Sequence, residues 1–205
     1  MKKIALLSAA VAAGLWAVSA QAVLVVLPPF GGTTSESFEA FSNGPLPEAT
    51  PILVKAAKVS SANTDLFVYQ PGVVDMPLGG FGNAPVEDGV KGLALASSSD
   101  TGTITFASPL SAFGGYWGAS SDSPVITVNF YNGATNVGTE LVPYAGGALL
   151  WGGWFSLTPF DRVTFTGDFV VVDNIQSDAA PVPEPASATA ILLSVGLLGI
   201  RRCRA

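Results

Sequence analysis

The feature that most constrains this fold is a series of short segments in which apolar and polar residues alternate. Residues 103–106, 126–130 and 163–165 show this pattern and are rich in β-branched and aromatic side chains. Successive side chains of a β-strand point to opposite faces, so alternation is typical of strands with one buried face. No amphipathic helical pattern accompanies these segments, and the sequence therefore predicts an all-β domain.

The turns between the segments favour antiparallel pairing. Asn132-Gly133 directly follows residues 126–130, and this dipeptide is typical of two-residue hairpin turns of type I′. Residues 137–142 are the predicted return strand. Short strands spaced roughly ten residues apart indicate a single β-sandwich over residues 23–178, with a jelly-roll-like topology favoured. Other strands are predicted at 23–27, 52–59, 66–69 and 169–172, and loops at 31–50 and 72–91.

Residues 1–22 have the three parts of a secretory signal peptide. Lys2 and Lys3 supply a positive start, an apolar stretch follows, and Ala20 and Ala22 form an A-x-A cleavage site. Such a peptide directs export of the following domain across the inner membrane and is then cleaved off after Ala22.

Residues 179–205 have a second three-part arrangement. Pro183, Glu184 and Pro185 come first, and an apolar transmembrane segment at 186–200 follows. As a helix this segment spans roughly 22 Å, less than the roughly 30 Å of bilayer hydrocarbon, so local thinning has to cover the difference. The prolines hold Glu184 on an extended segment just outside the membrane. The basic stop on the cytoplasmic side consists of Arg201, Arg202 and Arg204.

This order of motif, apolar segment and basic tail resembles the PEP-CTERM sorting signal of Gram-negative bacteria. The resemblance implies an exosortase as partner, a membrane enzyme that cleaves near the motif, and a precursor held transiently in the inner membrane. It also implies a final location in the cell envelope, on the cell surface or outside the cell. A plain membrane anchor with a proline-rich linker is the alternative. Residues 113–118, 128–131 and 172–175 resemble segments of passenger domains in the same family, which implies a sandwich fold.

The composition of residues 23–178 excludes several classes of function. Four basic residues stand against fourteen acidic ones, which argues against nucleic acid or an anionic membrane surface as a partner. The chain has no histidine, and Cys203 is its one cysteine. Disulfides, imidazole or thiolate metal sites and a Ser-His-Asp triad are therefore excluded from this domain.

The candidate binding residues are aromatic, because flat rings can stack on the apolar faces of sugars. Trp117, Trp151 and Trp154 are the predicted glycan contacts, with Tyr116 and Phe155 beside them. The glycine pair between Trp151 and Trp154 lets the backbone bend and allows an arrangement in which one indole is exposed and the other packs inward. Ordinary core packing of these rings is the alternative.

A structural calcium site is a competing hypothesis for the acidic residues. Carboxylates in loops supply the hard oxygen ligands that calcium prefers, although no run has EF-hand spacing. Asp173 is the best single candidate because it directly follows an apolar predicted strand, and Arg162 is its predicted partner. The remaining candidates are Glu87, Asp88, Asp122, Asp161 and Asp168.

The sequence thus predicts a secreted, non-enzymatic protein with a structural or adhesive role in association with exopolysaccharide. No spacing among the acidic residues selects a glycosidase pair, and the G-x-S-x-G elbow is missing. A carbohydrate-binding module with a defined glycan ligand is the alternative function, followed by a glycan-modifying enzyme.

Overall fold

The computed structural model shows an all-β domain, which confirms the predicted fold class. It describes residues 23–63, 65–97, 100–121, 125–143 and 147–179. The predicted signal peptide, Pro-Glu-Pro motif, apolar segment, basic tail and Asp122 all lie outside the described residues. Within the described part of the chain, no helix has the length and apolar character needed to cross a membrane.

Twelve strands in the described ranges form one antiparallel sheet. The short ones are β1 Leu24–Val26, β2 Thr34–Glu36, β3 Gly44–Pro45, β4 Thr50–Ile52, β5 Ala57–Ser61, β6 Leu66–Tyr69 and β7 Gly92–Leu95. The long ones are β8 Thr101–Gly118, β9 Val125–Asn132, β10 Thr135–Pro143, β11 Leu150–Thr166 and β12 Val171–Ala179. Short 3₁₀ segments occur at Leu53–Lys55 and Gly79–Phe81.

Strands β8 and β11 run through both halves of the molecule. They contain 18 and 17 residues, and bulges near Phe155 and Phe160 interrupt their pairing. Bulges bend a strand, so the sheet folds over on itself. Half-sheet 1 contains residues 112–118 of β8 and residues 150–155 of β11. Strands β1, β2, β3, β6, β7 and β12 belong to the same half-sheet. Half-sheet 2 contains the other segments of β8 and β11 with β4, β5, β9 and β10.

Aromatic side chains pack the two half-sheets face to face. Phe113 and Trp117 of half-sheet 1 contact Phe130 and Phe165 of half-sheet 2, with ring centroids 6.5 and 5.4 Å apart. None of these four side chains is more than 1% exposed. Such ring pairs contribute about 0.5–1.5 kcal/mol each beyond their buried area. The packing is that of a sandwich. Strands β8 and β11 belong to both half-sheets, which the jelly-roll-like prediction does not include.

The predicted hairpin forms, but its turn is displaced by one residue. Strands β9 and β10 pair from Asn132 and Thr135 outward, which leaves Gly133 and Ala134 as the turn residues. Of these two, Gly133 alone has a positive φ, 57°, whereas a type I′ turn needs positive φ at both central positions. The alternation at 126–130 is confirmed, because its apolar side chains are buried.

Two segments before residue 60 differ from the sequence prediction. The predicted loop at 31–50 contains β2 and β3, because β12 and β6 offer them pairing edges. The predicted strand at 52–59 is broken by a left-handed turn, Leu53–Lys55, with φ values of 52°, 55° and 69°. Leu53 is fully buried, and its N–H donates to Glu36 Oε2 at 3.0 Å, which holds the turn in place.

Strand β12 continues beyond the end that the sequence predicts at residues 173–175. It reaches Ala179, with a register shift against β8 near Asn174. Asn174 has a φ of 45°, and asparagine is one of the residues that tolerate this left-handed conformation. The irregularity therefore continues the strand in place of ending it.

Candidate functional site

The aromatic candidates divide between the outer and inner surfaces of half-sheet 1. Trp151 of β11 is the direct partner of Tyr116 on β8, which is in turn the direct partner of Asp173 on β12. Directly opposed residues of antiparallel strands share a face, and the adjacent Trp117 points into the core. Trp151, Tyr116 and Asp173 therefore form one row on the outer face.

Two opposed glycines let the Trp151 indole lie close against the sheet. Gly114 and Gly153 are direct partners, two residues along each strand from Tyr116 and Trp151. A Cβ on Gly114 would lie 2.6 Å from Trp151 Cζ2, and a Cβ on Gly153 would lie 2.7 Å from the same atom. Both distances are too short for real side chains, so this placement of the indole requires glycine at both positions.

Three contacts fix the orientation of the Trp151 indole. Its Nε1 donates a hydrogen bond to the carbonyl oxygen of Leu27 at 2.8 Å. The rings of Tyr116 and Phe30 meet it edge-on, with centroid distances of 5.2 and 5.7 Å. Trp151 still remains partly exposed. The side chain thus combines a satisfied polar atom with ring surface that is open to solvent.

Trp117 and Trp154 belong to the core, which corrects their prediction as glycan contacts. Their side chains are 0% and 3% exposed. Trp117 Nε1 donates to the carbonyl of Gly152 at 3.2 Å, and the Trp154 ring packs on Phe130 with centroids 5.4 Å apart. An enclosed ring has no face for a sugar. Phe155 is partly buried on the outer face, two positions beyond Gly153.

Asp173 is enclosed at the end of the row and is bound by backbone N–H groups. Its side chain is 0% exposed. Oδ2 accepts from the N–H groups of Glu87 and Asp88 at 2.7 and 2.9 Å, and Oδ1 accepts from the Asn174 N–H at 2.6 Å. Burial raises the pKa of Asp173 to about 6, although these hydrogen bonds act to lower it.

The predicted partnership of Asp173 with Arg162 is wrong. Arg162 lies in half-sheet 2, where its guanidinium carbon is 4.5 Å from the centre of the Tyr131 ring and its NH2 group donates to the Gly133 carbonyl at 3.2 Å. The peptide groups of residues 87–88 take the place of the expected cation, because N–H donors can also stabilise a buried carboxylate.

The acidic candidates do not converge on a cation site. Among the residues that the structure describes, no three potential ligands are grouped to hold a metal ion. Both oxygens of Asp161 lie 3.1 Å from the Gly133 nitrogen, and those of Asp173 also face N–H donors, which repel a cation. Asp168 is partly exposed in the turn between β11 and β12. The contacts of Asp173 and Asp161 thus argue against the calcium hypothesis.

Polar groups border the aromatic row on the β12 side. Burial and, to a lesser extent, the nearby Glu87 carboxylate raise the pKa of Tyr116. Gln176 is the direct partner of Gly114, and its Nε2 donates to Asn174 Oδ1 at 3.3 Å. Its Oε1 is buried without a hydrogen-bond partner in the described structure. We call the surface formed by Phe30, Gly114, Tyr116, Trp151, Gly153 and Gln176 the Trp151 face.

The sequence marks Trp117, Trp151 and Trp154 alike and does not separate the partly exposed ring from the two buried ones. The available signal is a glycine pair in each of the two long strands, Gly114-Gly115 and Gly152-Gly153. Their opposition depends on strand register, which no single strand reveals. Gln176 gives no sequence signal, because its unpaired oxygen results from packing in the folded domain.

Comparison with known proteins gives only distant structural likenesses. No family model and no curated protein matches the chain. The K2 cleaved adhesin domain of Lys-gingipain is 13% identical, with a TM-score of 0.47 over 71% of this chain and 97% of that chain. TmCBM61 in complex with β-1,4-galactotriose is 11% identical, with a TM-score of 0.43 over 71% and 95%. CsCBM6-3 from Clostridium stercorarium in complex with cellobiose is 12% identical, with a TM-score of 0.36 over 59% and 87%. These values assign neither a family nor a ligand to this chain.

Proposed function

We propose that this domain binds a neutral polysaccharide on the Trp151 face. The observation that carries the proposal is the partly exposed Trp151 indole, held against Gly114 and Gly153 and fixed by its hydrogen bond to Leu27. An aromatic ring offers a flat apolar surface to the CH groups of a sugar ring. Because the indole is already ordered, binding immobilises no further rotamer of Trp151.

The polar groups around the face favour a neutral glycan over an anionic one. Glu87 and Asp88 are exposed beside the row, and their charges repel a carboxylated polymer. Gln176 borders this face, and its Oε1 is buried without a hydrogen-bond partner in the described structure. Aromatic surface with a few placed polar groups is the usual composition of a ligand site.

In this function the protein is a binding component of the cell envelope or extracellular matrix and acts without turnover. The signal peptide exports the chain, and the segment at 186–200 holds the precursor in the inner membrane. An exosortase then recognises Pro183, Glu184 and Pro185. Adhesion to exopolysaccharide follows from the binding site. One glycan-binding domain therefore accounts for both hypotheses, the adhesive matrix protein and the carbohydrate-binding module.

Calorimetric titration of the full-length chain in mild detergent tests glycan binding. Soluble β-glucans, galactans and mannans serve as probes, and we expect saturable binding to at least one. Trp151→Ala should weaken that binding at least tenfold, which corresponds to about 1.4 kcal/mol. Leu157→Ala, which removes an 80% exposed side chain from the same strand, is the matched control and should bind normally.

Two results would contradict the binding proposal. One is the absence of saturable binding to every neutral glycan, and the other is an equal loss in the Trp151→Ala and Leu157→Ala proteins.

Intact-mass measurement tests the sorting part of the proposal. Protein recovered from envelope and medium should end near Pro183–Pro185, whereas a variant with alanine at Pro183, Glu184 and Pro185 should keep Arg204 and remain in the membrane fraction. An uncleaved tail in both proteins would identify the segment as a plain anchor.

A further inference from the structure

The outer face of half-sheet 2 has a chemistry that the Trp151 face does not account for. Direct strand partners form three rows across it, and the intervening side chains, such as Ile104 and Phe165, point into the core. The first row contains Lys58, Thr105, Arg162, Tyr131 and Asn136. The second contains Ser60, Thr103, Thr164, Asn129 and Thr139, and the third contains Thr101, Thr166, Thr127 and Leu141.

Hydroxyl and amide groups dominate these rows and already form a short chain of hydrogen bonds. Thr139 Oγ1 donates to Asn129 Oδ1 at 2.7 Å, and Asn129 Nδ2 lies 3.5 Å from Thr164 Oγ1. Neighbouring strands lie about 4.8 Å apart, so the face presents regularly spaced donors and acceptors. Sugar hydroxyls are suited to such an array.

Basic residues concentrate at one end of this face. Of the four bases between residues 23 and 178, Lys55, Lys58 and Arg162 are here, although the domain as a whole is strongly acidic. Lys55, Lys58 and Thr105 line a cleft of about 310 Å³. In the three rows, all of them within the described residues, no position carries a carboxylate.

The left-handed turn Leu53–Lys55 brings one of these cations to the cleft. Non-glycine residues in this conformation cost roughly 1–2 kcal/mol each, and the buried Leu53 side chain anchors the turn. Its result is that Lys55 lies beside Lys58 on the wall of one cleft. An anion bound in the cleft can therefore contact both charges.

Arg162 adds a third cation at the other side of Thr105. Its guanidinium lies over the Tyr131 ring and donates to the Gly133 carbonyl, while its Nε is buried with no hydrogen-bond partner in the described structure. The nearest carboxylate along β11, Asp161, accepts the Gly133 N–H with both oxygens. The positive charge of Arg162 is therefore only partly offset.

We propose that this face binds a polysaccharide that carries carboxylate groups, such as a polyuronate. Lys55, Lys58 and Arg162 contact the carboxylates, and the threonine and asparagine rows contact the hydroxyl groups. Charge complementarity selects this occupant, because the bases of an acidic domain are collected at one face. The site is independent of the Trp151 face, so one domain can hold two different polymers and cross-link them.

Affinity electrophoresis of the full-length chain in detergent, through gels that contain polygalacturonate, tests the proposal. At low ionic strength we expect retardation that weakens as salt screens the charges. The double variant Lys55→Gln, Lys58→Gln should lose about tenfold in affinity, from two partly screened charge contacts. Lys91→Gln removes one cation elsewhere, where Nζ donates to the Glu39 and Phe41 carbonyls, and should stay within twofold of the parent protein.

Several outcomes would overturn the proposal. They are no retardation by polygalacturonate at low salt, an equal loss in Lys91→Gln, and tighter binding of dextran sulfate or DNA than of polygalacturonate. Trp151→Ala separates the two faces, because it should weaken neutral glycan binding at least tenfold and leave retardation by polygalacturonate unchanged. Loss of both activities in that one variant would show that the second face is not a separate site.

Discussion

The outer faces of the two half-sheets are built on the same two strands and differ in their chemistry. On half-sheet 1, residues 87–88 donate to Asp173, and Leu27 and Phe30 contact Trp151, so other segments cover much of the surface. Glu87 and Asp88 are exposed charges beside the Trp151 face. On half-sheet 2, rows of threonine end at lysine and arginine.

The difference shows what the bulges in β8 and β11 accomplish. Inward side chains of both strand segments join one aromatic core, as the contact between Trp117 and Phe165 shows. Outward side chains are separated, because the bend turns the two outer surfaces away from each other. A single pair of strands can therefore supply two binding surfaces that need not interfere.

The largest expected effect tests the distinction between the buried Trp154 and the partly exposed Trp151. Trp154→Ala should lower the free energy of unfolding by about 3–5 kcal/mol, because it empties a buried volume between the half-sheets. Trp151→Ala should cost about 1–3 kcal/mol, since that ring is partly exposed and rests on glycine. Urea denaturation of both variants measures the difference, and equal losses would contradict the assignment of Trp151 to the surface.

The next effect is a pH dependence that belongs to half-sheet 1. Asp173 has a pKa of about 6 in the folded protein, against about 3.9 for an unfolded aspartate. Between these values the folded state holds a proton that the unfolded state has released. Stability should therefore fall by about 3 kcal/mol as pH rises from about 4 to 6, and this contribution should stay constant above that range.

Asp173→Asn tests this pH dependence, because the amide does not titrate. Denaturation curves at several pH values should show the variant gaining on the parent protein as pH rises from 4 to 7. Asp75→Asn removes a negative charge from an exposed position and should leave the parent's pH profile unchanged. A parallel profile for Asp173→Asn and the parent would remove Asp173 as the cause.

Local patterns predict the strands but not the relations between them. Alternation identifies residues 126–130 and 163–165, and their apolar side chains are buried as expected. Pairing of Gly114 with Gly153, and the replacement of Arg162 by peptide groups beside Asp173, depend on contacts between residues distant in the chain. A single sequence does not encode such register in any local feature.

The outer face of half-sheet 2 illustrates the same limit of prediction from a single sequence. Residues 103–106 alternate threonine with apolar side chains, which predicts a strand but not a surface. The surface appears only when β5, β9 and β11 bring further polar side chains into register with Thr103 and Thr105. Net charge is equally misleading, because an acidic total conceals a local group of bases.

A smaller effect tests the two glycines, Gly114 and Gly153, against which the Trp151 indole packs. Gly153→Ala places a methyl group where the structure leaves 2.7 Å to the indole, so the ring must move. We expect a loss of about 1–3 kcal/mol in stability and weaker binding of neutral glycans. Gly31→Ala is the control, because nothing lies within 4 Å of its Cβ position, and its stability should change by less than about 0.5 kcal/mol.

The smallest effect concerns the strained turn beside the basic cleft. Val54 is 86% exposed at a φ of 55°, a conformation that is unfavourable for a β-branched residue and tolerated by asparagine. Val54→Asn should therefore raise the free energy of unfolding by up to about 1 kcal/mol. Val73→Asn, at a position that is 65% exposed and without positive φ, should give no such gain. Because asparagine keeps the turn, retardation by polygalacturonate should also stay unchanged in Val54→Asn. A stabilised variant that loses this retardation would show that Val54 itself, and not only the placement of Lys55, contributes to the second face.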